Sequence, residues 1–236
     1  MSFETKYSVV SCHVERLLDD AIWARLERLV ERRPAGFAIA PLVRPPDPAA
    51  AESQEVWAER ARRLAGLGLL GHHTHFGGVT QARPTAAGAA ERVRREADAF
   101  ARAGLRASFF CGGGWYMDAD VAATAAALGY VDCSATSYRQ PYLAADAPSV
   151  RVPEPTWLRL AGGERLLELP ATHSVGMLLR DLLRRRPLEQ PVVHLHFHDW
   201  DLADPRRRLA LSLGLAILGR VRRPLDLDRL AETAAA

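Results

Sequence analysis

Residues 192–201 read VVHLHFHDWD and place His194, His196 and His198 at alternate positions, with Leu195 and Phe197 between them. In an extended strand successive side chains point to opposite faces, so the three imidazoles share one side and the apolar groups the other. Two further stretches repeat this arrangement. SCHVER puts Ser11, His13 and Glu15 on one face, opposite Cys12 and Val14; GHHTHFGG puts Gly71, His73 and His75 together. Seven of the eight histidines fall in these three stretches, and the eighth, His173, follows the β-like run 166–169. Histidines with a single carboxylate are the donor set of zinc and its transition-series neighbours, and His-x-His aims two rings the same way. Any one of these histidines has a bland alternative, a hydrogen-bonded core residue. As a set they point to a metal or catalytic site.

Rings so far apart in sequence meet only if the strands carrying them converge. β-like runs are expected over 7–12, 37–43, 69–75, 107–111, 130–134 and 192–198, with a hairpin over 157–169 turning at Ala161-Gly162-Gly163. Between them, helical spacing predicts helices over 15–32, 53–67, 87–103, 118–128, 175–183 and 205–219. An irregular stretch rich in Pro, Ser and Tyr runs to about Thr156. Strands alternating with helices predict parallel βα units in an α/β fold, either an open sheet or a barrel. In both, ligands gather at the carboxyl ends of the strands, where the histidines lie.

The totals narrow the class further. A chain of 236 residues without a linker or repeat is expected to form one domain over 1–236. The net charge of +3 is small, and Arg184–Arg186 and Arg206–Arg208 read as solvated helix ends, with no nucleic-acid motif beside them. Three widely spaced cysteines imply no disulfide framework. MSFETKYSVV lacks the apolar core of a signal peptide, and the apolar run 209–218 is too short to span a bilayer, so a cytoplasmic setting is the expectation.

The motifs, in their order, resemble those of the polysaccharide deacetylase family, over nearly the whole chain. YSVVSCHVE resembles the family's first motif, a strand ending in Asp-Asp or Asp-x-Glu, and LLGHHTHFGG its second, Gly-x-His-Thr leading to a second His. FFCGGGWYM followed by a helix and LGY resembles the third, Phe-Arg-Pro-Pro-Tyr-Gly; LELP is similar to a strand end in many members. HLHFHDWDL resembles the last motif, and RRPLDLDRLAE the closing segment. The resemblance implies a distorted (β/α)7 barrel and a metal-dependent hydrolase removing an acyl group from an N-acetyl or N-formyl sugar or a related small amide.

It also implies roles. Glu15, His73 and His75 would hold one divalent metal, zinc or alternatively cobalt, nickel or iron. His13 would take the proton of the attacking water and His198 would protonate the leaving amine, with Asp199 or Asp201 orienting His198 or capping the next helix. Cys111, Trp115, Tyr116 and Trp200 would contact substrate, and Gly112-Gly113-Gly114 offers backbone N–H groups. The pattern departs from the family at three positions: its base Asp falls on His13, its second metal His on Gly77 and its Arg on Cys111. His13 is therefore base or ligand. Two other readings stand beside the hydrolase: a barrel that has lost catalysis and binds a carbohydrate or protein partner, and an amidohydrolase-type metallohydrolase.

Overall fold

The computed structural model describes residues 5–76, 88–144 and 146–235. The strands are β1 (Tyr7–Val14), β2 (Ile39–Val43), β3 (Gly71–Thr74), β4 (Phe109–Gly112), β5 (Val131–Asp132), β6 (Thr156–Arg159), β7 (Arg165–Glu168), β8 (His173–Ser174), β9 (Val192–His198) and β10 (Arg223–Pro224). The helices are α1 (Asp20–Arg32), α2 (Gln54–Leu67), α3 (Ala89–Arg102), α4 (Ala119–Ala127), α5 (Val175–Leu183), α6 (Pro205–Val221) and α7 (Leu227–Ala235). Helical spacing from residue 15 onward does not become helix until residue 20. The carboxylate of Asp19 accepts from the N–H groups of Ala21 and Ile22 at 2.9 and 3.0 Å and starts α1 there. Residues 15–19 are thereby left as a turn above the end of β1.

The strands run parallel in the order β5-β4-β3-β2-β1-β9-β8, with β7 on the far side of β5 and β6 antiparallel to β7 as the expected hairpin. Residues 165–174 close the ring. On one side Leu169 and Ala171 donate to the carbonyls of Asp132 and Ala135 at 2.8 and 2.9 Å; on the other, Thr172 donates to His194 at 3.0 Å. Pro170, which has no N–H to give, falls in the gap between β7 and β8. Counting that run as one stave, β1, β2, β3, β4, β5, residues 165–174 and β9 make a seven-stave barrel, distorted because several staves pair over only one or two residues.

Two apolar layers hold it. Outside, α1, α2 and α3 turn Leu26, Val30, Trp57, Leu64, Val93 and Phe100 onto the sheet. Inside, Val9, Leu42, Phe109, Leu167 and Val192 fill the lower lumen, and α7 plugs that end with Leu227, Leu230 and Ala234. Gly71 sits in this layer without a side chain because a Cβ there would lie 2.1 Å from Leu42 Cδ2. The lower lumen is thus filled by side chains, and the largest of the described cavities opens at the carboxyl ends. Among the described residues no helix is long and apolar enough to cross a membrane.

One buried pair strains this arrangement. Asp132 on β5 and Glu168 on β7 are partners in register and both wholly buried. Neither oxygen of Glu168 meets a donor among the described residues, so a proton shared with Asp132 is what relieves the pair. Burial, with Asp132 beside it, pushes Glu168 well above the usual carboxylate range, and burial pushes Asp132 up to about 6. Carboxyls with raised folded-state pKa values favour the fold while protonated; that contribution falls away as pH rises from the unfolded value of about 4 through the folded one. Glu168→Gln should therefore raise stability at pH 8 by about 1–3 kcal/mol and flatten its decline between pH 5 and 8. Chemical denaturation across that range measures both; a variant less stable than wild type at pH 8 would show the pair is compensated in another way.

Candidate metal centre and substrate cavity

The end of β1 is fixed from β9. His13 and His198 are partners in register, and just beyond them Asp199 Oδ2 accepts from the N–H groups of Glu15 and Arg16 at 3.0 and 2.6 Å. The Glu15 carboxylate then faces imidazoles from two other staves. Its Oε1 lies 2.9 Å from His75 Nε2, 3.6 Å from His73 Nε2 and 3.9 Å from His198 Nε2. Burial alone would raise the Glu15 carboxyl, but His73 and His75 against it outweigh that and hold it well below the ordinary range.

His73 has a defined tautomer. Its Nδ1 lies 3.0 Å from the carbonyl oxygen of Cys111, which only accepts, so Nδ1 carries the proton and Nε2 presents a lone pair. That Nε2 is buried and has no hydrogen-bond partner among the described residues. An orphaned imidazole lone pair beside a carboxylate and a second imidazole fits a metal's needs. The donor atoms of Glu15, His73 and His75 lie within 4.8 Å of one another, and burial of His73 keeps it neutral, as a ligand must be. His13, His73 and Cys111 form a second such group sharing His73. Burial, reinforced by Asp132, pushes the Cys111 thiol far up, so the carboxylate group is the better fit.

The remaining histidines divide by partners. His194 bonds Ser11 Oγ and the Leu169 carbonyl at 2.8 and 3.2 Å, and His72, facing outward, meets Glu96 at 2.9 Å; both are satisfied structural residues. His13 stacks on His73 with centroids 4.8 Å apart and has Nε2 3.6 Å from Cys111 Sγ. Burial and the rings of His73, His198 and His196 lower its pKa well below that of free imidazole. His198 stacks flat on Trp200 at 4.1 Å, and burial lowers its pKa to about 4. Neither aspartate orients its ring through a hydrogen bond: Asp199 holds the end of β1 and Asp201 accepts from the His198 backbone N–H.

These groups open into a cavity of about 700 Å³. Trp115 and Trp200 line it, as does the glycine run. Gly113 is needed there because a Cβ would meet the Thr74 carbonyl at 2.4 Å, and the Gly112 N–H is already spent on Ser134 Oγ at 2.7 Å. Tyr116, expected to touch substrate, instead packs into the core against Phe76 with its hydroxyl on Asp118, because the chain turns at Gly114 and Trp115 in left-handed conformations. Cys111 sits wholly buried behind His13 rather than in the wall. Gly77 lies outside the described residues. The rest of the lining was not anticipated: residues 138–142, Ser174 at the end of β8, and Met177 and Arg180 of α5.

No family model and no curated protein sequence matches the chain. Solved structures do. A provisionally named polysaccharide deacetylase from Mycobacterium smegmatis aligns over 99% of this chain and 91% of its own, with TM-score 0.68 at 13% identity. A CE4 family pseudoenzyme from Bacillus anthracis covers 97% of this chain and 66% of its own at TM-score 0.56 and 9% identity. A 4-alpha-glucanotransferase from Thermococcus litoralis covers 96% of this chain and 38% of its own at TM-score 0.54 and 12% identity. The chain has the fold of the polysaccharide deacetylases.

Because Asp199 ties Glu15 to β9, Asp199→Ala leaves two backbone N–H groups without an acceptor. It should lower stability by about 1–3 kcal/mol. Thermal melts check this; a variant melting as wild type does would show that the clamp carries no stability.

Proposed function

We propose that the chain hydrolyses the amide of an acylated sugar or a related small amide, with one divalent transition metal held by Glu15, His73 and His75. The observation that carries this reading is the orphaned His73 Nε2 beside Glu15 and His75 at the wall of a cavity large enough for a sugar. An ion bound there would polarise the acyl oxygen and make water more acidic. Zinc suits such a donor set, and cobalt, nickel and iron accept the same ligands.

The protein's own groups would do the rest. His198 rests neutral, so one ring can serve both proton steps. Its Nε2 takes a proton from the attacking water as the water oxygen bonds to the acyl carbon. It then returns that proton to the nitrogen as the C–N bond breaks, releasing a carboxylic acid and an amine. Glu15 Oε1, 3.9 Å from that nitrogen, favours the transient imidazolium, and the Trp200 face holds the ring in place. His13, stacked on His73 and directed at Cys111, is assigned to positioning His73 rather than to proton transfer. Trp115 and Trp200 offer apolar faces to a sugar ring.

Elemental analysis of the purified protein should find about one equivalent of transition metal, lost in a His73→Ala, His75→Ala double variant. Acetate release from N-acetyl sugars should be lost with it. No metal in either protein after incubation with zinc, cobalt, nickel and iron would leave a barrel that binds rather than cuts. His198→Gln should keep its metal yet lose about 10²–10⁴-fold in kcat. If His13→Gln shows that loss instead, with His198→Gln unaffected, the proton duty belongs to His13.

A further inference from the structure

We propose that the substrate of this cavity is anionic, carrying a phosphate or carboxylate group that is held by Arg139 and Arg180; this rests on the hydrolase reading above. Both arginines line the cavity that contains Glu15, His73 and His75. They come from separate elements, Arg139 from the 138–142 segment and Arg180 from α5. Among the described residues neither guanidinium has a hydrogen-bonding or ionic partner. Some other arginines are neutralised at short range, Arg44 by Glu52 at 2.7 Å, Arg92 by Glu96 at 2.8 Å and Arg207 by Asp201 at 2.6 Å, whereas Arg28 and Arg32 on the outer surface have no ionic partner among the described residues; what sets Arg139 and Arg180 apart is that both line the cavity.

The charge balance of the cavity points the same way. Glu15 is the single carboxylate in its lining, and its Oε1 is turned to imidazoles. Two guanidinium groups therefore stand against one carboxylate in the lining. A divalent cation on Glu15 would add to the excess. A neutral oligosaccharide would leave that field unanswered, whereas an anionic group answers it. Guanidinium also matches phosphate and carboxylate oxygens with paired N–H donors.

The wall carrying these charges is built to keep its shape. Tyr142 accepts from Trp115 Nε1 at 2.7 Å, and Gln140 donates to the Tyr138 hydroxyl at 3.0 Å, so residues on both sides of Arg139 are pinned. Met177 and Arg180, three residues apart on α5, present one helix face to the cavity. A further polar atom waits in the same space: His196 Nδ1 is buried, lines the cavity and has no hydrogen-bond partner among the described residues. The sugar amide would sit near Glu15 while its anionic group rests on the arginine wall.

The test uses the protein as purified and three probes: N-acetylglucosamine, N-acetylglucosamine 1-phosphate and N-acetylmuramic acid, whose anion is a carboxylate. Calorimetric titration at low salt should show one of the two anionic sugars binding about tenfold more tightly than the neutral one. The stronger of the two identifies the anion. Added sodium chloride should erode the preference, and an Arg139→Ala, Arg180→Ala double variant should abolish it while melting as wild type does, both side chains being exposed. Equal affinities, no measurable binding of any probe, or a preference that survives the arginine variant and disappears in His73→Ala, His75→Ala would overturn the proposal. Anion preference without acetate release would keep the arginine site and remove the hydrolase reading; acetate release without preference would do the reverse.

Discussion

The bond on which the site depends is the one from Asp199 to the N–H groups of Glu15 and Arg16. β1 pairs with all of β9, yet that pairing stops at His13 and His198, before Glu15 is reached. A parallel ladder fixes backbone only as far as it runs. Asp199 extends that control past the ladder's end, taking the two N–H groups that the turn before α1 leaves without a strand partner. Arg44 adds a contact to the Glu15 carbonyl from the side of β2. The carboxylate is thereby presented to His73 and His75 from a fixed backbone, although it belongs to no regular element.

Packing explains why the polar groups gather where they do. The seven staves and α7 fill the lower lumen with aliphatic and aromatic side chains, where an unpaired imidazole would cost a few kcal/mol. One step higher, His194 is tolerated because Ser11 and the Leu169 carbonyl satisfy both nitrogens. Higher still, His73 and His196 each keep a nitrogen without a partner among the described residues. The gradient from apolar to satisfied to unsatisfied runs along the barrel axis toward the cavity.

Much of this was legible in alternation. The faces of SCHVER, GHHTHFGG and VVHLHFHDWD are those observed, since period two survives any small error in where a strand ends. Barrel closure was legible as a class but not in detail, because Pro170 divides one stave into two pieces too short to signal as strands. The helix Leu227–Ala235 carried a readable spacing at Leu227, Leu230 and Ala234. The wall from 138 to 142 carried none: it is irregular backbone, tied by the Trp115–Tyr142 bond to a residue distant in sequence. Tyr116 was misjudged for a related reason. Neighbours in sequence point alike only when the backbone is regular, and the left-handed pair Gly114 and Trp115 sends one ring into the cavity and the next into the core.

The fold itself leaves the chemistry open. The same barrel is shared with a glucanotransferase that transfers glucan and with a CE4 family pseudoenzyme, so seven staves do not decide a reaction. What distinguishes this chain lies in the uppermost turn of each stave. His13 and Cys111 are in mutual contact there, and burial disfavours the charged form of each. Glu15 is the single carboxylate lining the cavity. One carboxylate and two guanidiniums without a partner among the described residues line the same cavity, and fixed charges so placed bias the orientation of a polar ligand before any hydrogen bond forms.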